Sequence, residues 1–271
     1  MSYELIPAIM RPDSEPTGIR IRLITRGDDA GCSHSANRAL VECCEQGVLR
    51  NVSVMVPGPA FNDAVRLFAG RDDVCLGLHA TLSAEWEFPK WGPVLPHEKV
   101  PSLVEANGHF TTHPGLLRDR GVSAEEAIAE VQAQLDTARR HGLHISYLDE
   151  HMSVGLVTGL GERLAELCLR EHLICAATIP WLPNPQSRPA NFVEWWVEQL
   201  RHVTPGTYAL VSHPVHNDEE MRAFYGRGMA RGEIARRRDG IRRGLIDPSF
   251  RHVCRELGVE FIRYDDARIG T

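Results

Sequence analysis

The chain opens with a run from Ile19 to Thr25 that alternates apolar and polar positions and is rich in β-branched side chains. Period-two alternation of that kind predicts a half-buried strand. The run stops at two adjacent carboxylates, Asp28 and Asp29, followed by Gly31, and a helical pattern starts near Ser35 with Ala36, Ala39, Leu40 and Cys43 on one face. The order is therefore strand, acidic loop, helix. Strand patterns recur at Asn51 to Val56, Val74 to Leu82, Ile145 to Leu148, Leu173 to Ala176, Thr207 to Val211 and Val259 to Ile262. Helical patterns lie between them: Phe61 to Phe68, a long one after Ser123 to His141, Gly161 to Glu171, Phe192 to His202, Gly232 to Leu245, and Pro248 to Leu257. Ser123 and Glu126 read as a capping box, Gly142 as a stop, and Asp247-Pro248 as a cap with proline at the first helical position. Strands alternating with helices predict an α/β fold of mostly parallel β/α units, closed into a barrel or barrel-like sheet. No repeat or linker divides the chain, so residues 19–271 read as one domain behind an N-terminal arm, residues 1–18.

One stretch breaks the rhythm. Ser83 to Arg120 carries Pro89, Pro93, Pro96, Pro101 and Pro114, with Trp86, Trp91, His97, His109 and His113. A long irregular excursion in a compact fold reads as functional or as a lid. Its tryptophans suit stacking on the apolar face of a sugar ring, or burial against the domain body.

Composition narrows the classes. A formal net charge of −6 over 271 residues argues against nucleic-acid and anionic-membrane partners, which need a clustered basic face. The arginines at 236–238, 242 and 243 sit in a helical stretch and read as a solvated or ion-paired face. No segment approaches the ~20 apolar residues of a membrane span, and Met1 to Gly18 lacks the apolar centre of a signal peptide. The seven cysteines are scattered with no Cys-x-x-Cys pair, which suggests small core residues in a reducing cytoplasm rather than disulfides or a thiolate zinc site.

The chemistry-bearing residues cluster at strand ends. Asp28 and Asp29 follow the first strand, His79 lies in the third, Asp149 and His151 follow a mid-chain strand, and His213 follows a late one. A parallel barrel gathers such ends on one face. Two adjacent carboxylates divide naturally into a metal ligand and a base, and two neutral imidazoles with a carboxylate suit Zn²⁺ or another divalent ion. Each residue alone reads equally as a hydrogen-bonded polar turn or strand end. His34, His97, His141, His144, His172, His202 and His252 read as structural or surface residues.

The motifs together resemble a known family. Leu23-Ile24-Thr25-Arg26-Gly27-Asp28-Asp29-Ala30-Gly31, with Ser35-Ala36-Asn37-Arg38-Ala39, resembles the opening signature of the YdjC-like carbohydrate deacetylases (the ChbG/HpnK group), an apolar strand leading to Ala-Asp-Asp-Phe-Gly. Gly77-Leu78-His79-Ala80-Thr81-Leu82 is similar to the family's Gly-Leu-His-x-x-Leu-Thr, and Gly108-His109-Phe110 to its Gly-x-Phe. Tyr147-Leu148-Asp149-Glu150-His151 resembles Leu-Asp-Ser-His, and Leu210-Val211-Ser212-His213-Pro214 the late Leu-x-x-His-Pro. The resemblance implies a distorted (β/α) barrel of the glycoside hydrolase/deacetylase type that removes acetyl groups from N-acetylated sugars. It implies Asp29, His79 and His151 as ligands of a divalent ion, zinc or magnesium, with Asp28 as general base and His213 as general acid. Asp149 or Glu150 would orient a ligand from behind.

Departures are visible. Gly27, Ala30 and Ala209 replace family residues, further histidines are absent after His151, and the C-terminal Arg-x-x-Glu-Leu is blurred into Arg237-Arg238-Asp239-Gly240-Ile241. These positions are expected to touch the sugar. Two other readings stay open: an amidohydrolase or glycosidase on the same barrel, with Asp28 paired to Glu150, and a non-catalytic sugar-binding barrel. Apolar residues of the excursion and the proline-rich arm are compatible with a homodimer.

Overall fold

In the computed structural model, which describes residues 21–183 and 191–267, the opening strand is β1 (Ile21–Ala30). It runs through the acidic pair instead of stopping at Thr25. A register irregularity between Gly27 and Ala30 lets it do so, and Met55 still donates its backbone N–H to Ala30. The other strands are β2 (Asn51–Val54), β3 (Cys75–Ala80), β4 (Ile145–Glu150), β5 (Ile174–Cys175), β6 (Gly206–Ser212) and β7 (Val259–Ile262). The helices are α1 (His34–Glu45), α2 (Phe61–Phe68), α3 (Pro114–Asp119), α4 (Ala124–Arg140), α5 (Val154–Thr158), α6 (Gly161–Arg170), α7 (Phe192–His202), α8 (Glu219–Arg222), α9 (Glu233–Ile246) and α10 (Pro248–Glu256). The predicted arm, 1–18, and the first two residues of the predicted opening strand lie outside the described residues.

Every strand pairing is parallel, in the order β5-β4-β3-β2-β1-β6, with β7 beside the first half of β1 and β2 beside its second half. The sheet curls into a half-barrel. Its open side is stitched by Trp181: Ala209 of β6 donates to Pro180 O at 2.9 Å and Leu182 donates back to Ala209 O at 3.0 Å.

Two cores result. The outer one packs the helices on the sheet through outward residues such as Leu23, Val52, Val54, Leu76 and Leu78, with Ala36, Ala39 and Leu40 of α1 buried as the periodicity predicts. The inner one fills the barrel with Ile24, Cys75, Tyr147, Ala209, Ile262 and Tyr264. Gly77 makes room there: a Cβ at that position would lie 2.2 Å from the Tyr147 ring, which stacks on Tyr264 at 4.1 Å. The barrel floor is thus filled by apolar and aromatic side chains, and the polar cluster stands at the upper end.

Several expectations change. The excursion contains α3, and both of its tryptophans are buried; Trp91 donates its indole N–H to Ser83 O at 2.8 Å. The capping box is half made. Ser123 Oγ accepts from Glu126 N, while the Glu126 carboxylate accepts from Ser102 N at 2.7 Å. Gly27 does not form a pocket wall. A side chain there would strike Leu40 and Leu49, so this departure affects helix packing, and Ala30 and Ala209 lie in the two apolar cores.

Candidate active site

Side chains alternate along β1, so Ile24, Arg26 and Asp28 project into the barrel while Leu23, Thr25 and Gly27 face the helices. Asp29 should then point away, but its φ of 68° turns the chain and brings its carboxylate to the same site. A positive φ at a non-glycine residue is uncommon and costs free energy, and here it places two neighbouring carboxylates at one site. β3 and β4 are registered with His79 opposite Asp149, and His151 follows immediately after β4.

Asp29, His79 and His151 converge. His79 Nε2 lies 3.5 Å from Asp29 Oδ1, His151 Nδ1 lies 3.4 Å from the same oxygen, and the two nitrogens are 3.1 Å apart. Three ligand atoms each ~2.1 Å from one ion stand roughly 3.0 to 3.4 Å from one another, so the triangle has the dimensions of a single divalent-ion face.

The surrounding groups fix which atoms face inward. His79 Nδ1 sits 2.8 Å from Asp149 Oδ2, and His151 Nε2 sits 2.8 Å from Glu85 Oε2. Each carboxylate accepts the ring N–H, so that on a neutral ring the other nitrogen would offer its lone pair to the centre. Asp29 Oδ1 is buried and has no hydrogen-bond partner among the described residues. Two ring nitrogens and a carboxylate oxygen therefore meet at one point, a set of ligand atoms that fits a cation once the rings give up their second protons.

Arginines hold the outer carboxylate atoms. Arg26 donates from Nε and Nη2 to the two oxygens of Asp28 at 2.7 and 2.9 Å, and its Nη2 lies 3.0 Å from Asp149 Oδ2. Arg238 Nη1 donates to Asp29 Oδ2 at 2.8 Å, with its guanidinium 5.3 Å from the Trp86 ring centre. Burial pushes the Asp29 carboxyl up, but Arg238 and the two imidazoles outweigh it and hold the group well below the usual carboxylate range. Burial alone would lower His79, yet Asp149 and Asp28 raise it well above its ordinary value. Burial likewise opposes charge on His151, but Glu85 and Asp29 bring it up to about 9. His213 differs: desolvation, aided by Arg238, outweighs Asp29 and Asp28 and lowers it below its ordinary value. Its Nε2 lies 3.9 Å from Asp28 Oδ2, and its side chain is 36% exposed. A cavity of about 1350 Å³ beside His213 is bounded by Trp181, Phe192, Trp195 and Ile241.

All five residues singled out from sequence thus come together at one end of the barrel. Asp149 rather than Glu150 stands behind His79, and Glu150 turns away to accept from Gly155 N at 2.8 Å. Glu85, Arg26 and Arg238 were not singled out. Arg238 belongs to the arginine run read as a surface face, and its neighbours Arg242 and Arg243 do pair with acidic residues. The signal available for Arg26 was its place two residues before Asp28 on the same strand face.

The family model described as YdjC-like protein matches residues 22–256. A carbohydrate deacetylase of Thermoanaerobacter pseudethanolicus is 32% identical over 216 residues, covering 73% of this chain and 83% of that protein. Carbohydrate deacetylases of Halalkalibacterium halodurans and Xenopus laevis are 31% and 28% identical, over 48% and 61% of this chain and 53% and 56% of their own lengths. Those two alignments span little more than half of each relative. An Enterococcus faecalis V583 protein assigned to cellobiose-phosphate cleavage superposes with a TM-score of 0.73 at 20% identity, covering 91% of this chain and 98% of that one, a likeness of fold. Spanned by that model through nearly the whole barrel, the chain belongs to the YdjC-like carbohydrate deacetylase family.

Proposed function

We propose that the protein is a metal-dependent hydrolase that removes acetyl groups from N-acetylated sugars, with residues 19–271 as one catalytic unit. The observation that carries this reading is the convergence of Asp29 Oδ1, His79 Nε2 and His151 Nδ1 beside the tethered carboxylate of Asp28. The names of the relatives support the substrate class. Asp29, His79 and His151 would hold the ion; two imidazoles in the set favour zinc, with magnesium the alternative. When bound, such an ion supplies Lewis acidity, which acidifies water and polarises the amide carbonyl.

The chain supplies the rest. Asp28, oriented by Arg26, takes a proton from the attacking water. As the C–N bond breaks, the nitrogen needs a proton, and His213 stands 3.9 Å from Asp28 to pass one on. A resting neutral His213 suits that relay, because it can receive the proton before delivering it. Glu85 and Asp149 keep the ligand rings in the required tautomers. A glycosidase would need a second carboxylate opposite Asp28, and Glu150 is turned away in a hydrogen bond with Gly155. Seven free thiols support a cytoplasmic location.

The test is metal content and acetate release from a panel of N-acetylated sugars, with the wild type beside His151→Ala. One divalent ion per chain with acetate release is the expected result, both lost in the variant. A wild type that cannot be loaded with metal would overturn the ligand set.

A further inference from the structure

We propose that Arg26 is a resident cation. Its guanidinium fills a second carboxylate–imidazole cluster beside the reaction centre and so limits that centre to one metal ion, leaving Asp28 unliganded. The inference rests on the reading of Asp29, His79 and His151 as the metal site.

Among the described residues, two sets of side chains present ligand atoms within 4.8 Å of one another: Asp29, His79 and His151, and also Asp28, His79 and Asp149. The second set has two carboxylates to hold a cation, and His79 borders both sets, turning Nε2 to Asp29 and Nδ1 to Asp149. What separates them is Arg26. No guanidinium lies among the three inward atoms of the first set, where Asp29 Oδ1 is without a partner among the described residues. In the second set the guanidinium reaches Asp28 with two hydrogen bonds, Asp149 at 3.0 Å and Tyr264 Oη at 3.2 Å. Arg26 is 3% exposed, and a buried guanidinium persists only where its charge is matched. Its planar fork spans two carboxylates at once, which a lysine ammonium does not.

The charges around the centre agree. Four carboxylates, Asp28, Asp29, Asp149 and Glu85, face two guanidiniums, Arg26 and Arg238. The deficit is two charges, which one divalent ion with two neutral imidazoles cancels. A second divalent ion would leave an equal excess in a buried site. Arg26 is accordingly a positioning residue: it acts through Asp28, keeping the lone pairs of that carboxylate for protons rather than for metal.

The experiment is equilibrium dialysis of the metal-stripped full chain against Zn²⁺, counting bound ions in wild type and Arg26→Ala. The expected result is one ion for wild type, two for Arg26→Ala, and one again when the variant is dialysed with millimolar guanidinium, which refills the vacated position. A folded Arg26→Ala that still binds one ion overturns the proposal, as does a wild type that binds two. No ion in wild type but one in Arg26→Ala would reject the Asp29 site and retain the closure by Arg26. No ion in either would reject both. Should Arg26→Ala fail to fold, electron paramagnetic resonance of Mn²⁺-saturated wild type decides: an isolated-ion spectrum is expected, and an exchange-coupled pair overturns the idea.

Discussion

Glu85 Oε2 lies 2.8 Å from His151 Nε2, so the irregular excursion after β3 reaches back to brace a side chain that follows β4. The contact fixes the ring tautomer and raises the basicity of the nitrogen facing the centre. Glu85→Gln is expected to weaken metal binding by about 10- to 100-fold while leaving the fold intact. Competition against a chelator of known affinity measures it, and an unchanged affinity would remove Glu85 from the site.

Asp28 and Asp29 are neighbours with opposite predicted fates. Asp28→Asn should keep the metal and lower the rate of acetate release by about 10²- to 10⁴-fold, the usual contribution of a general base. Asp29→Asn should lose the metal itself. Metal analysis and turnover on the same two preparations separate the roles, and metal loss in Asp28→Asn would reverse them.

Protons and metal compete for the histidines. His151 is raised to about 9 and His79 is also raised, so the metal-free protein carries protons on these rings at neutral pH. Adding Zn²⁺ at pH 7.5 in weak buffer should release at least one proton per ion, read with an indicator dye. The same shift sets a stability trend. A His151 raised in the folded state above its unfolded value near 6.5 stabilises the metal-free fold below that pH. The contribution disappears as pH rises through about 9. The melting temperature of metal-free protein should therefore fall between pH 6.5 and 9.5, whereas the loaded protein should lack this trend. A flat metal-free profile would contradict the assignment.

Gly77→Ala tests the barrel floor. The added methyl would lie 2.2 to 2.5 Å from atoms of the buried Tyr147 ring, whose hydroxyl is tied to Ser53 at 2.8 Å. Overpacking of this kind costs about 1–3 kcal/mol, which denaturant titration would register as a lower midpoint at unchanged slope. A neutral result would mean that the ring has room to move.

The strands, the helix order and the five inward polar residues were legible because each depends on local pattern: alternation, caps, and an acidic or histidine residue where an apolar run stops. Asp29 was the exception within that set. Alternation alone sends it outward, and only its positive φ explains how it joins Asp28. Glu85, Arg26 and Arg238 were not legible as site residues, for a different reason. The roles of Glu85 and Arg238 arise from contacts across the fold, since Glu85 is 66 residues from His151 and Arg238 is 209 from Asp29, whereas Arg26 meets Asp28 locally and Asp149 only across the sheet. Arg26 shares its strand with Arg22, and Arg238 its helix with Arg236, Arg237, Arg242 and Arg243, so periodicity does not single out the buried ones. The altered Gly27 and Ala30 misled in the opposite sense, since closeness in sequence to Asp28 did not place them in the pocket.

The stitch at Trp181 gives the barrel a seam. Asp28, Asp29, His79, Asp149 and His151 all hang on or beside the continuous arc from β1 to β4, held by full parallel ladders, while the closing side depends on the short contact of Pro180 and Leu182 with Ala209. Closure and the Asp29–His79–His151 triangle are therefore mechanically separate, and of the proposed site only His213, directly after β6, stands on the seam strand. The seam can breathe without loosening the arc, so in hydrogen exchange the amides of Leu182 and Ala209 should lose protection well before those of β3, and lengthening the chain at the seam should leave the metal triangle undisturbed.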